Sequence, residues 1–228
     1  MFFTDCFSRL TEKGKEEFYK SVFMEMDGEE AESIRLKYYK QTLRYMGENV
    51  KIGRSVEFVN PQFISLGDNV IINDNCTLIA RGEPGISLAD NVQLMHRVYL
   101  DTERAKEGYI KIGKSVYIGT GCILHGHTGL EIMDYSLLAQ NITITPYSHI
   151  FDDCSQTITE QGGYMRKMVI ERDCYIGKGC CIVYSADIQE GSVIGSGSVV
   201  VHTIPPYSVA VGVPAKVIRK RGAPAKKI

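Results

Sequence analysis

The side chains best suited to moving a proton near neutral pH are five histidines, His96, His125, His127, His149 and His202. An imidazole titrates at ~6.5 when unperturbed, so it can take up and return a proton under cellular conditions. His125 and His127 stand in the run HGHT with one glycine between them. Two close histidines without a third ligand are a weak metal signal. The pair is otherwise read as ligand-contacting or surface polar groups. His149, in TPYSHIFDD, is followed by Asp152, Asp153 and Glu160. A carboxylate there could orient the ring by accepting from its far nitrogen, as catalytic bases are often held by a third group. A loop carboxylate is more often simply solvated. Seven cysteines, an odd number without CxxC spacing, argue against a disulfide framework and against zinc.

The elements that must position these groups follow from a repeat. From Leu66 onward aliphatic residues recur every six positions: Leu66, Ile72, Leu78, then Leu88, Leu94, Leu100, then Ile112, Ile118, Leu124, then Ile132, Leu138, Ile144. A last run continues through Ile170, Ile176, Ile182, Ile188, Ile194 and Val200. Four residues after most of these stands a small or β-branched residue, such as Val70, Cys76, Val98, Cys122, Cys174, Cys180 or Ser192. Glycine often follows the aliphatic position directly, as in Gly67, Gly113, Gly119, Gly177 and Gly195, and is expected to tolerate the dihedrals of a turn. A fixed short period with one large and one small inward side chain predicts a β-solenoid, and a period of six excludes an amphipathic helix. Three hexads make a coil, and the cysteines at the small slot become packing residues.

The coil starts ISLGDN, ISLADN, IKIGKS, LEIMDY and MVIERD carry their register residues at 66, 88, 112, 132 and 170, spaced by 22, 24, 20 and 38. The last interval exceeds an 18-residue coil by twenty, so about 150–168 must leave the solenoid as a loop. His149 then ends a coil at the rim beside this loop, where a pocket is easiest to build. Ahead of the repeat, residues 8–25 and 29–46 read as helices, with Ile34, Tyr38 and Leu43 capping the first coil. Pro205 and Pro206 end the period at the other side. The expected organisation is a helical segment over 1–48, a solenoid over 49–204, and a cap with a basic tail over 205–228.

A formal net charge of −1 gives no global pull toward nucleic acid or an anionic membrane. No apolar run is long enough to span a bilayer, and the N-terminus lacks the pattern of a secretory signal, so a cytoplasmic location is expected.

The hexads, the late histidine before an extruded loop, and the ending IGSGSVVVHTIPPYSVAVGVPAKVIRK together resemble the hexapeptide-repeat acetyltransferases. Within them the chain looks most like the maltose, galactoside and capsular or lipopolysaccharide sugar O-acetyltransferases. The resemblance covers about 50–221. It implies a left-handed parallel β-helix, a homotrimer with sites between subunits, and acetyl-CoA as acyl donor with no metal. It places His149 as general base, taking the acceptor proton during attack on the thioester. It also implies donor contacts at Tyr175, Gly177, Lys178 and Ser196, with Lys216 and Arg219 attracting the phosphates of CoA. Acceptor contacts fall near Gly121, His125, His127 and Asp152. The family more often has Asn or Asp where this chain has Gly121 and HGHT, so a different acceptor is implied.

The leading function is acetyl transfer to a hydroxyl of a sugar or saccharide. The alternative within enzymes is N-acetylation of a nucleotide-linked amino sugar, since an amine needs less help from a base. A γ-type carbonic anhydrase would need a lone histidine and then two at five-residue spacing, which HGH does not supply. A non-catalytic scaffold should have lost the histidine or the loop, and both are present.

Overall fold

The computed structural model describes residues 8–103 and 107–223. Its strands assemble into three parallel sheets that form the faces of one solenoid of about seven turns. Sheet A has six strands, from Tyr45–Met46 to Met168–Ile170. Sheet B has nine, from Lys51–Ile52 to Lys216–Lys220, and sheet C has seven, from Glu57–Val59 to Val199–Val200. The chain visits A, B and C in turn, and each strand pairs in register with its counterpart one coil on, as Ile118 pairs with Leu138 and Ile144 with Ile182.

The aliphatic residues of the repeat, from Leu66 to Val200, and the small residues that follow them point inward and are buried. Ile72, Leu94, Ile118, Leu138, Ile176 and Ile194 form one such column along sheet B. Burying a side chain of this size stabilises by about 1.5–3 kcal/mol, so the stacked columns supply the cohesion that no local contact within a coil could.

The glycines of the repeat do a different job from the one the sequence suggested. Gly67 and Gly177 are not in the left-handed region. They lie so close to the next coil that a Cβ on Gly67 would come 2.8 Å from the backbone of Asp90, and one on Gly177 would come 2.5 Å from the backbone nitrogen of Ser196. The left-handed residue comes just before the small inward one: Asn69, Asn75, Asn91, Arg97, Asn141 and Asp173, with Gly121, Gly179 and Gly197 at equivalent places. Asparagine tolerates that conformation better than most residues. Here it also stacks, Asn49 donating to Asn69 and Asn69 to Asn91, each at 3.2 Å.

At the N-terminal end, helix α1 (Glu12–Phe23) is capped by Thr11, and helix α2 (Glu29–Thr42) lies against the first coil. Its buried stripe is Ala31, Arg35 and Tyr39, with Leu43 just beyond, whereas Ile34 and Tyr38 are half-buried. The buried Arg35 donates to the carbonyls of Phe23 and Met26, satisfying carbonyls at and beyond the end of α1. Tyr39 donates to the Val56 carbonyl at 2.7 Å and packs edge-on against Phe58. The first coil begins at Tyr45–Met46, inside the stretch expected to be helical, because Met46, Ile52 and Phe58 already follow the period. At the far end, Ser208–Val211 adds a parallel strand and Lys216–Lys220 returns antiparallel, covering the last open edge. Cys6 and the last residues of the basic tail lie outside the described residues.

Candidate functional site

Functional side chains on a solenoid must lie on the outward positions and at the corners, because the inward ones are consumed by the core. The expected site residues collect on two different corners. At the C–A corner, His125 ends the strand Ile123–His125, and His127 follows at the turn. One coil further on, Thr143–Thr145 leads through Pro146 into a strand, Tyr147–His149, that leaves the solenoid. This strand pairs antiparallel with Gly163–Met165, His149 opposite Gly163. Between them runs a flap, which includes a short helix α3 (Ile158–Gln161) closed by a capping box between Thr157 and Glu160. The extrusion expected at 150–168 is therefore present, carried on a two-stranded ribbon that begins at Tyr147.

His149 is exposed. Its Nδ1 lies 3.1 Å from the hydroxyl of Tyr147, whose ring meets the imidazole edge-on with centroids 4.8 Å apart. Tyr147 and His149 share a face because they are two apart in a strand. The other side of Tyr147 rests on His127 at 5.1 Å, and His127 meets His125 at 6.0 Å. Rings thus run continuously from Tyr99 through His125, His127 and Tyr147 to His149.

None of the loop carboxylates hydrogen-bonds to His149. Asp153 accepts from Ser155 and Gln156, and Glu160 accepts from Thr157, so both are occupied within the flap and held below the usual carboxylate range by those hydrogen bonds. Asp152 is exposed and makes no hydrogen bond to His149. The partner on the imidazole is a phenol.

Behind the ring ladder lies a charged network that sequence spacing did not reveal. Asp101 is 2% exposed and accepts from Arg81 through both oxygens, at 3.1 and 2.9 Å. It also accepts from the Tyr99 hydroxyl and the Glu103 backbone. Burial alone would raise its pKa, but Arg81 and these donors outweigh that and hold it low. Glu103 approaches His125 Nδ1 at 2.8 Å, close but not aligned as a hydrogen bond, so it counts as an electrostatic neighbour only. Burial lowers the pKa of His127, a shift that the Glu103 charge only partly opposes. Three of the four buried, unpartnered polar side-chain atoms among the described residues are in HGHT: Nδ1 of His125, Nδ1 of His127 and Oγ1 of Thr128. Buried polar atoms ordinarily find a partner, which sets this stretch apart from the rest of the described surface. Among the described residues no three His, Cys, Asp or Glu side chains converge as a metal set.

The B–C corner carries the remaining candidates. Gly177 and Lys178 follow the strand Tyr175–Ile176, and Ser196 lies one coil above them, where Gly197 donates to the Lys178 carbonyl. Gly121 belongs to this ridge, donating to the His96 carbonyl, and is separated from His125 by the width of sheet C. Gly179 and Gly197 have φ of +69° and +71° with nothing beyond their own chain neighbours within 4 Å of where a Cβ would stand, which leaves open space above these two turns. Tyr175 projects from sheet B, 43% exposed, beside the outward Leu137. Lys216 and Arg219 lie on the closing strand. Lys216 is exposed, while Arg219 is half-buried and donates to the carbonyls of Lys220 and Ala223.

The family model described as the hexapeptide repeat of succinyl-transferase matches residues 167–201, the coils that carry Tyr175, Gly177, Lys178 and Ser196. A probable acetyltransferase of Mycobacterium tuberculosis is 36% identical over 53% of this chain and 40% of its own. A galactoside O-acetyltransferase of Lactococcus lactis is 32% identical over 47% of this chain and 54% of its own. The chain thus carries the hexapeptide repeat and is similar to acetyltransferases over about half of its length. It spans about half the length, or less, of several curated relatives that it matches. A dTDP-4-amino-4,6-dideoxy-D-glucose acyltransferase of Escherichia coli is matched more fully, at 29% identity over 83% of this chain and 88% of its own. Among solved structures, an N-acyltransferase of Bacillus cereus in complex with dTDP and 3-hydroxybutyryl-CoA shares the solenoid fold, with a TM-score of 0.58 at 21% identity over 82% of this chain and 88% of that one.

Proposed function

We propose that this protein transfers an acetyl group from acetyl-CoA to a hydroxyl of a sugar or saccharide, with His149 as general base. The observation that carries this reading is the state of His149: exposed at the rim of the solenoid, with Nδ1 engaged by Tyr147 and Nε2 left to meet an acceptor. As the acceptor oxygen attacks the thioester carbonyl, Nε2 takes its proton. When the tetrahedral intermediate collapses, the imidazolium returns that proton to the departing sulfur.

The open space above the turns at Gly179 and Gly197 suits an extended, flexible thioester arm, with Gly177 beside it. On this reading Tyr175 would offer an aromatic wall, Lys178 and Ser196 would contact the arm, and Lys216 and Arg219 would attract the phosphates of CoA. Since one chain carries this ridge and His149 on separate corners, the reading includes a homotrimer in which neighbouring subunits complete each site. Gly121 then belongs with the donor ridge, and His125, His127 and Asp152 with the acceptor.

A second reading, acylation of a nucleotide-linked amino sugar at nitrogen, is favoured by the match to the dTDP-amino-sugar acyltransferase over most of both chains. Purified protein supplied with acetyl-CoA and a panel of free sugars, glycans and dTDP-amino sugars separates the two, with thiol release as readout and mass spectrometry locating the new bond. Turnover with hydroxyl acceptors supports the first reading. Turnover confined to amines replaces it with the second.

A further inference from the structure

We propose that Tyr147 is the positioning residue for His149, accepting a hydrogen bond from Nδ1–H and so holding the imidazole in the tautomer whose Nε2 lone pair faces the acceptor. This rests on His149 acting as the base. Three features of the site converge on it. The phenol oxygen lies 3.1 Å from Nδ1, and no loop carboxylate takes that position. The Tyr147 ring is itself held in place, backed by His127 at 5.1 Å on one side and crossed by the His149 ring on the other. Gly163, opposite His149 on the return strand, leaves the space the phenol occupies, and a Cβ there would fall on the Tyr147 ring and hydroxyl.

The direction of the hydrogen bond decides whether the site works. A phenol can donate to Nδ1 or accept from it. If it donated, Nε2 would carry the proton and could not remove one from the acceptor. If it accepts, the same Nδ1–H bond persists through neutral and protonated forms of the ring, and the phenol hydrogen stays available to the acceptor. Unlike a carboxylate, a neutral phenol orients the ring without placing a full negative charge beside it.

The test uses full-length protein with 15N-labelled histidine. At alkaline pH, the wild-type ring of His149 should show an Nδ1–H signature. In Tyr147→Phe it should move toward the Nε2–H form that free imidazoles of histidine prefer. kcat should fall about tenfold, the value of one neutral hydrogen bond, with KM for acetyl-CoA unchanged. Gly163→Ala, which displaces the phenol without removing it, should reproduce both effects. Since the ribbon lies outside the solenoid, both variants should keep the wild-type melting temperature. An Nε2–H ring in the wild type overturns the proposal, as does a Tyr147→Phe variant with unchanged tautomer and kcat. If the tautomer shifts but His149→Ala also leaves kcat intact, Tyr147 still positions the ring and the assignment of His149 as base is what fails.

Discussion

Replacing His149 by Ala separates chemistry from folding because of where the residue stands. The imidazole is exposed, it is absent from the apolar core, and its side chain makes one hydrogen bond, to Tyr147 at 3.1 Å. Losing one exposed neutral hydrogen bond and one ring edge contact should cost at most about 1 kcal/mol, with the buried columns untouched. If the ring is the general base, kcat should fall by ~10²–10⁴-fold, or about 2.7–5.5 kcal/mol of transition-state stabilisation. Acetyl-CoA affinity should barely change, because on this reading the imidazole meets only the acyl end of the donor and not its phosphates. Thiol release gives kcat, calorimetry gives the affinity, and a thermal melt shows whether the fold is intact. His96 and His202, exposed or at other turns, are the controls and should tolerate the same change. Turnover above a tenth of wild type with every acceptor the wild type uses would refute the argument, and His127 would be the next residue to test.

Deleting about ten residues of the flap should leave the melting temperature near wild type and abolish turnover; a large drop in the melting temperature would place the flap in the core. Changing Lys216 and Arg219 together to Ala should weaken acetyl-CoA binding measured by calorimetry, and the difference should shrink as salt rises. Burial pushes the Cys76, Cys122 and Cys174 thiols up to about 11, so native protein at neutral pH should resist iodoacetamide at all three while the exposed Cys154 is labelled; rapid loss of all four thiols would contradict the packing. Asp101→Asn should destabilise the fold above about pH 5, and the gap to wild type should close as pH falls below the ordinary carboxylate value of ~3.9, because the native carboxyl titrates lower than the unfolded one. A gap independent of pH in urea unfolding would mean that lost shape, not charge, sets the cost.

The core was legible because each coil repeats the same steric requirement. Leu94, Ile118, Leu138 and Ile176 fill the same place in successive layers, so a single period in the sequence describes a column in space. Only the Tyr45–Met46 strand of the first coil was misplaced, because the preceding helix-forming run masks where the period begins. The turn glycines were recognised for the wrong reason. Gly67 and Gly177 are forced by the approach of the next coil, a contact between residues some twenty apart that a local reading of dihedral freedom does not see.

The partner of His149 was harder to read for a related reason. Inward slots are restricted by volume, so their residue types betray their place; an outward residue on the same strand is restricted only by what it meets. The alternation in TPYSH does put Tyr147 on the side of His149, but a tyrosine two residues away has no special standing in sequence beside Asp152, Asp153 and Glu160, which have the charge expected of an orienting group. Packing against His127 and the space left by Gly163 select the phenol instead. Each lies well away in sequence, one a coil earlier and one across the ribbon. The solenoid therefore divides its information: the period specifies the scaffold, and corners brought together by stacking specify the chemistry. If His149 is the base, substitutions at Tyr147, His127 and Gly163 should alter turnover without touching the code that folds the chain.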